Sequence, residues 1–436
     1  MKEKRSTFYS TQQLKNLQER GVIIPDLSSV KIGLEISQEK ISPGCTLYPF
    51  VRISGEKTHI KSGAQIGIYG PVTLKDSWIG ENVILGSLGA VTLKDVVVGP
   101  KSILGAGVAE QAVFLGKESF VNEFSTGYGF RIRKGSLYEE DSSSAQHTDT
   151  KMTILFPWAT LGSNINFCDA MLTGGTGSSM GFFSEVGSGT IHFNFTIRGD
   201  KATASLFGDV TRGVFLDSER IFIGGNNSLI GPIKSDYGVL TAANARINGT
   251  LSRGLNFGKS LSSGRIMYDP TIFIGVLDIV RKQVNVLAEL VALINWYKQI
   301  RVSCIAQNPD NKIIYTSGLK IVELNFEERF SQLSQFIESV QNSYVMNEKS
   351  NKLAKKDITE QRKLLENWPL IEKKLLKIAN FEILAPESFK NSIKERQSLG
   401  DSNYTELIKN LSKETKKIGE KWLNRISKKV RGEFFI

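Results

Sequence analysis

Large apolar side chains recur at every sixth residue through much of the first half of this chain. One run reads Ile41, Leu47, Ile53, then Ile60, Ile66, Val72, then Ile79, Leu85, Val91, then Val98, Leu104. The phase slips by one between Ile53 and Ile60, between Val72 and Ile79, and between Val91 and Val98. Further runs read Leu161, Phe167, Thr173, then Met180, Val186, His192, and later Ile223, Leu229 and Ile233, Val239, Ala245. A helix repeats every 3.6 residues and a half-buried strand every two, so neither holds a six-residue phase. A chain of short flat strands does. Each strand sends one large side chain inward and a smaller one four positions on, such as Cys45, Val51, Ala64, Gly89 or Thr190, and then turns a corner. Stacked coils pair their backbones with the coils above and below. The 40 glycines fit this scheme, because tight corners need residues that accept positive φ. A sandwich with Gly-rich turns is the alternative, but nothing in a sandwich enforces so long a phase.

Composition narrows the function classes. Cys45, Cys168 and Cys304 are far apart and form no CxxC, so neither a disulfide framework nor a zinc site is expected, and a reducing, cytoplasmic setting is. His59, His147 and His192 are the three histidines, and none has metal-ligand spacing; no metal is predicted. Residues 1–18 are charged and polar, without the apolar stretch of a secretory leader. The most apolar window, 271–297, contains Asp278, Arg281, Lys282 and Glu289, which argues against a membrane span. A net charge of +11 leaves anionic partners open.

Three stretches carry a closer resemblance. Gly187-Ser188-Gly189-Thr190-Ile191 is followed by Asn194-Phe195, Phe222-Ile223-Gly224-Gly225 by Gly231-Pro232, and Gly238 by Ala242-Ala243. In that order they resemble consecutive coils of the left-handed β-helix transferases. The nearest pattern is the acetyltransferase half of bifunctional UDP-N-acetylglucosamine pyrophosphorylase/glucosamine-1-phosphate acetyltransferase. The resemblance runs from about Gly21-Val22-Ile23-Ile24 to Leu251. It implies a left-handed parallel β-helix, a homotrimer, acetyl-CoA as co-substrate and a phosphorylated sugar or nucleotide sugar as acceptor. It places Asn194 and Lys201 at the substrate, and Gly225 and Ala243 at acetyl-CoA. The pyrophosphorylase half is not expected, since residues 1–20 carry no Gly-rich nucleotide-binding motif.

The family's chemistry is not retained at the matching positions. Its general-base His falls at Met171, which cannot take up a proton. A substrate Tyr becomes Gly174, an Asn becomes Glu185, the Tyr after Asn194 becomes Phe195, and an upstream Lys falls near Pro157-Trp158-Ala159. Loss of a general base alone costs roughly 10²–10⁴ in rate. A replacement is sought at 129–158, where the six-residue phase disappears and an inserted loop is expected. Arg131 and Arg133, two apart on an extended segment, would share a side and hold a phosphate. His147 and Asp149 would pair as a relocated base. The alternative is a solvated polar loop with incidental charges. His192, in phase with Val186, reads as a hydrogen-bonded core residue, His59 as a surface residue, and Cys168 as pointing away from the coil axis. Gly174-Gly175-Thr176-Gly177-Ser178-Ser179 reads as a coil corner rather than a phosphate loop, since no Lys-Ser/Thr follows.

After residue 268 the period becomes helical. Leu277, Val280, Val284, Leu287, Val291 and Ile294 form a heptad seam, free either to self-associate or to pack on the chain's own β-helix. Residues 302–317 read as a connector, 321–347 and 351–380 as helices, 384–401 as loop-rich and 403–430 as a last helix. Pro369 is expected to kink or end the second of these. Lys428, Lys429 and Arg431 cluster at the C-terminal end, but no groove-reading motif accompanies them, so nucleic acid is not an expected partner. The predicted organisation is a helical segment at 1–20, a β-helix at 21–268 with an inserted loop at about 129–158, and an α-helical domain at 269–436. The function expected from the resemblance is an amino-sugar or nucleotide-sugar acyltransferase. The alternative is a catalytically inactive β-helix serving as a scaffold or binding protein.

Overall fold

The computed structural model describes residues 7–119, 124–196, 199–258, 263–265, 269–350, 353–378 and 381–434. Its front half is an all-parallel β-solenoid of about 12 turns, the architecture expected of a hexapeptide β-helix. The pentapeptide Val-Thr-Leu-Lys-Asp, at 72–76 and again at 91–95, shows how the sequence winds it. Val72 and Leu74 point inward and are buried, as are Val91 and Leu93. Thr73 stacks on Thr92 and Lys75 on Lys94, all pointing outward. Asp76 and Asp95 then turn the corner with φ of 50° and 52°, and each donates its N–H to the coil before. Asp, Asn and His are the non-Gly residues that best tolerate this left-handed region.

The six-residue prediction holds at the axis. Leu47, Ile53, Ile60, Ile66, Val72, Ile79 and Leu85 are wholly buried in one continuous column. Helix α1 (Thr11–Glu19) closes the first coil with Leu14 and Leu17. Its N-terminus is fixed by a capping box, in which the Ser10 hydroxyl and the Gln13 side chain each accept a backbone N–H. Met180 breaks the inward pattern. It stands 89% exposed on a turn that bulges out beside the Gly175–Phe183 bridge.

The inserted loop expected at 129–158 is not there. Strands Thr126–Ile132, Ser136–Tyr138, Ser143–Ser144 and Asp149–Leu155 continue the ladder without a gap. The phase vanishes from the sequence because the inward places hold Thr126, Ser136, Ser144 and Thr150 instead of branched apolar residues. Ser136 and Thr150 share a hydrogen bond of 3.2 Å inside the coil, and Tyr138 fills the space they leave.

The solenoid has three faces. The first is open to solvent and carries an outward column Lys31, Arg52, Thr73, Thr92, Val108, Arg131. A second carries an outward column Val97, Val113, Leu137, Ile154, Met171, Leu206. Those side chains would be exposed on a bare solenoid. They are buried or nearly so because the C-terminal helices lie over them in a second hydrophobic core.

The short helix α2 (Val210–Gly213) belongs to the solenoid and is capped by Asp209. The helical region contains α3 (Val276–Trp296), a π-helical stretch (Tyr297–Ile305), α4 (Pro309–Ser350), α5 (Lys355–Ile378), α6 (Glu387–Ser398), α7 (Tyr404–Lys409) and α8 (Lys413–Gly432). The α3 seam packs within the chain, with Val280, Val284, Leu287, Val291 and Ile294 buried against α4, α5 and α8. Several sequence expectations fail here. Most of the expected connector at 302–317 is helical, because Pro309 sits in the first turn of α4, where its missing N–H costs nothing. Pro369 lies inside α5 without ending it. Leu364, Trp368, Ile371 and Leu375 are buried along that helix, and their packing outweighs the lost hydrogen bond. The region 384–401 contains α6, and the single helix expected at 403–430 is two. Among the described residues, no helix is long and apolar enough to cross a membrane.

Candidate functional site

The residues singled out in the sequence fall into three groups. Arg131, Arg133 and Asp149 lie together on the open face. Arg131 and Arg133 point outward on the same side, as expected from their spacing. Arg133 lies along the sheet. Its Nε donates to Asp149 Oδ1 at 2.7 Å and its Nη2 to Cys168 Sγ at 3.0 Å. The Cys168 thiol in turn donates to Asn166 Oδ1 at 3.1 Å. Burial pushes that thiol up to about 12, so it is a poor nucleophile. Cys168 does point away from the axis, yet it is buried beneath its neighbours. The Arg131 side chain has no ion pair or hydrogen bond among the described residues and is exposed.

The expected His147–Asp149 pair does not form. His147 turns the corner between the third face and the open face with φ of 54°. Asp149, two residues on, has already entered the strand and belongs to Arg133. Across a corner, i and i+2 do not share a face. Gly129, His147, Asn164, Gly189, Asn226 and Asn244 all adopt positive φ. The N–H of His147, Asn164, Asn226 and Asn244 each donates to the preceding coil. His147 is thus a corner residue of the kind Asn usually supplies, with its ring edge-on to Tyr128 at 5.7 Å. Gly225 and Ala243 flank the same corner further along: the Gly225 carbonyl accepts the Asn244 N–H at 2.8 Å, and Ala243 is exposed.

Asn194 and Lys201 are drawn to the corner between the open and covered faces. Asn194 Nδ2 donates to Asp169, and Asp169 Oδ1 lies 2.6 Å from Arg329 Nη2 of α4. Arg329 Nη1 also donates to the Lys201 carbonyl at 3.3 Å. Arg329 and Asp169 are buried. These groups fasten α4 to the solenoid. His192 is the core residue its phase implies. Its ring nitrogens face the Cys168 carbonyl at 2.5 Å and Ser205 Oγ at 2.7 Å, and burial lowers its affinity for a proton.

Met171 lies beneath the helices. It is 4% exposed and faces Val286 and Leu290 of α3 and Asn325 and Arg329 of α4 across a cavity of about 20 Å³. That is room for one water and not for a sugar.

Two features of the open face escaped the sequence reading. The first is its run of cations: Lys31, Arg52, Lys75, Lys94, Arg131, Arg133 and Lys151 all project from it. The second is an exposed aromatic edge at the corner beside it, with Phe50 65%, Tyr69 76% and Tyr128 53% exposed. The repeated Val-Thr-Leu-Lys-Asp was the legible signal, since its alternate residues must face outward.

No family model matches the chain, and no curated protein matches it. A parallel β-solenoid is what the structure and the resemblance share. Among the described residues no three His, Cys, Asp or Glu side chains converge as metal ligands.

Proposed function

We propose that this chain is a non-catalytic binding scaffold: a β-solenoid with one face sealed by its own helices and another left free for a ligand. The burial of Met171 under α3 and α4 carries the reading. The resemblance puts the general base there, and the side chain present cannot accept a proton. The space beside it admits no acceptor sugar. The open face supports the same reading, because Arg133 and Asp149 neutralise one another and His147 serves the backbone, leaving no acid–base pair there among the described residues. Acetyl-CoA and a phosphorylated sugar are, on this reading, not turned over.

The test is incubation of the full chain with acetyl-CoA and a panel of amino-sugar phosphates. The expected result is no coenzyme A release above the rate without protein, unchanged in His147→Ala. Release that depends on the sugar overturns the proposal, and its loss in His147→Ala would assign the base to that residue.

A further inference from the structure

The open face pairs a cationic stripe with an aromatic one. Successive coils of a parallel solenoid lie about 4.8 Å apart, so outward side chains on one column repeat at that interval along the axis. The cations run from Lys31 to Lys151 over seven coils, a length of about 29 Å. Lys75 stacks directly on Lys94. Like charges in that position repel. Glu110 neutralises Lys94 at 2.7 Å, while the side chains of Arg52, Lys75 and Arg131 have no partner among the described residues. Thr73 and Thr92 stand between the charges and offer hydroxyls. Along the adjoining corner the rings of Phe50, Tyr69 and Tyr128 are exposed, with Leu88 filling the coil after Tyr69.

We infer that this face binds a linear acidic polysaccharide, a uronic-acid polymer, laid along the solenoid axis. The inference rests on the scaffold reading above and names its ligand. The coil interval is close to the length that one pyranose ring adds to an extended chain, so successive sugars stay in step with the outward positions of successive coils. Aromatic rings stack on the apolar faces of the sugars, threonines meet their hydroxyls, and Arg52, Lys75 and Arg131 meet their carboxylates. Nucleic acid fits less well. Asp76 and Asp95 line the far corner and Glu110 lies within the face. Those carboxylates accept hydrogen bonds from the free hydroxyls that each sugar carries, whereas the phosphodiester backbone of DNA has no donor to offer them. Charges along a duplex strand also recur about every 3.4 Å, out of step with the coils.

The test is calorimetric titration of the full chain with a galacturonate hexasaccharide, a neutral dextran oligomer of equal length and an oligo-dT strand. The expected result is binding of the galacturonate that weakens at least tenfold in Arg52→Gln/Lys75→Gln and in Phe50→Ala/Tyr69→Ala. Both variants should keep the parent's circular dichroism and melting point, and dextran should bind at least tenfold more weakly. Absence of galacturonate binding overturns the inference, as does binding that neither variant weakens or oligo-dT binding of equal strength. Sedimentation of the parent as an oligomer that Arg52→Gln/Lys75→Gln dissociates also overturns it, because a second copy would then cover the face. Each of these outcomes leaves the scaffold reading standing when acetyl-CoA is not turned over. Sugar-dependent release of coenzyme A overturns that reading instead.

Discussion

Two faces of one solenoid, built on the same backbone repeat, have been given opposite surfaces. The covered face sends out Val113, Leu137, Ile154, Met171 and Leu206, and the open face sends out Arg52, Thr73, Thr92 and Arg131. The inward residues are alike in both, so they set the coil and say nothing about use. The outward residues decide it. An apolar outward column requires a cover, and α3 and α4 supply one. A polar column with unpaired cations needs no cover and is free to meet a ligand.

The covered face is also held by buried charge. Arg301, from the π-helical stretch, donates to Glu140 Oε1 at 2.6 Å and to Glu139 Oε2 at 3.0 Å, and its guanidinium lies 3.5 Å from the centre of the Tyr404 ring. Tyr297 donates to Glu139 at 2.6 Å. Glu118 accepts the N–H groups of Tyr404 and Thr405 at 2.7 and 2.9 Å, so a solenoid carboxylate caps the start of α7. The contrast between the faces predicts where substitutions hurt. The largest effect is expected from Arg301→Leu, which strands two buried carboxylates and should cost about 3–5 kcal/mol in urea denaturation. Leu137→Ala opens a cavity under the helices and should cost about 2–5 kcal/mol by the same measurement.

A third prediction concerns pH. Burial, with the Glu140 charge adding to it, pushes Glu118 from 4.5 up to about 7. Its folded value is raised, so folding takes up protons between those two values and stability falls as pH rises through them. Below 4.5 the penalty is absent, and above about 7 it is complete. Glu118→Gln should remove about 1–3 kcal/mol of this pH dependence, read as a flatter plot of melting point against pH than the parent gives. An equal slope in both proteins would show that Glu118 does not titrate with folding. The smallest effect is expected on the open face, where Arg52→Gln/Lys75→Gln should stay within about 0.5 kcal/mol of the parent. A loss as large as that of Leu137→Ala would mean that something covers this face too.

The coil was legible because its axis is filled by branched residues at a fixed interval, and Ile66, Val72 and Ile79 sit where that interval puts them. It was lost at 129–158 because small hydroxyl residues replaced them, and a hexapeptide reading has no term for a Ser–Thr pair inside the core. The site was less legible. Arg131 and Arg133 were placed on one side correctly, but the corner between His147 and Asp149 separates two residues that a straight strand would have joined. The Lys201 carbonyl meets Arg329 of α4, more than a hundred residues distant, and Asn194 is linked to the same arginine through Asp169; no local pattern announces such contacts. The apolar outward residues Leu137, Ile154 and Met171 did carry a readable message: apolar side chains sent out from a solenoid need a cover, and here the helices supply it.

Thiol labelling at two matched outward positions tests the central claim most directly. Met171→Cys lies on the covered face and Thr92→Cys on the open one. The account predicts that Thr92→Cys reacts at the rate of a free thiol, while Met171→Cys reacts no faster than the buried Cys45. Equal, rapid labelling at both positions would contradict it, because the face that the helices are said to seal would then be open.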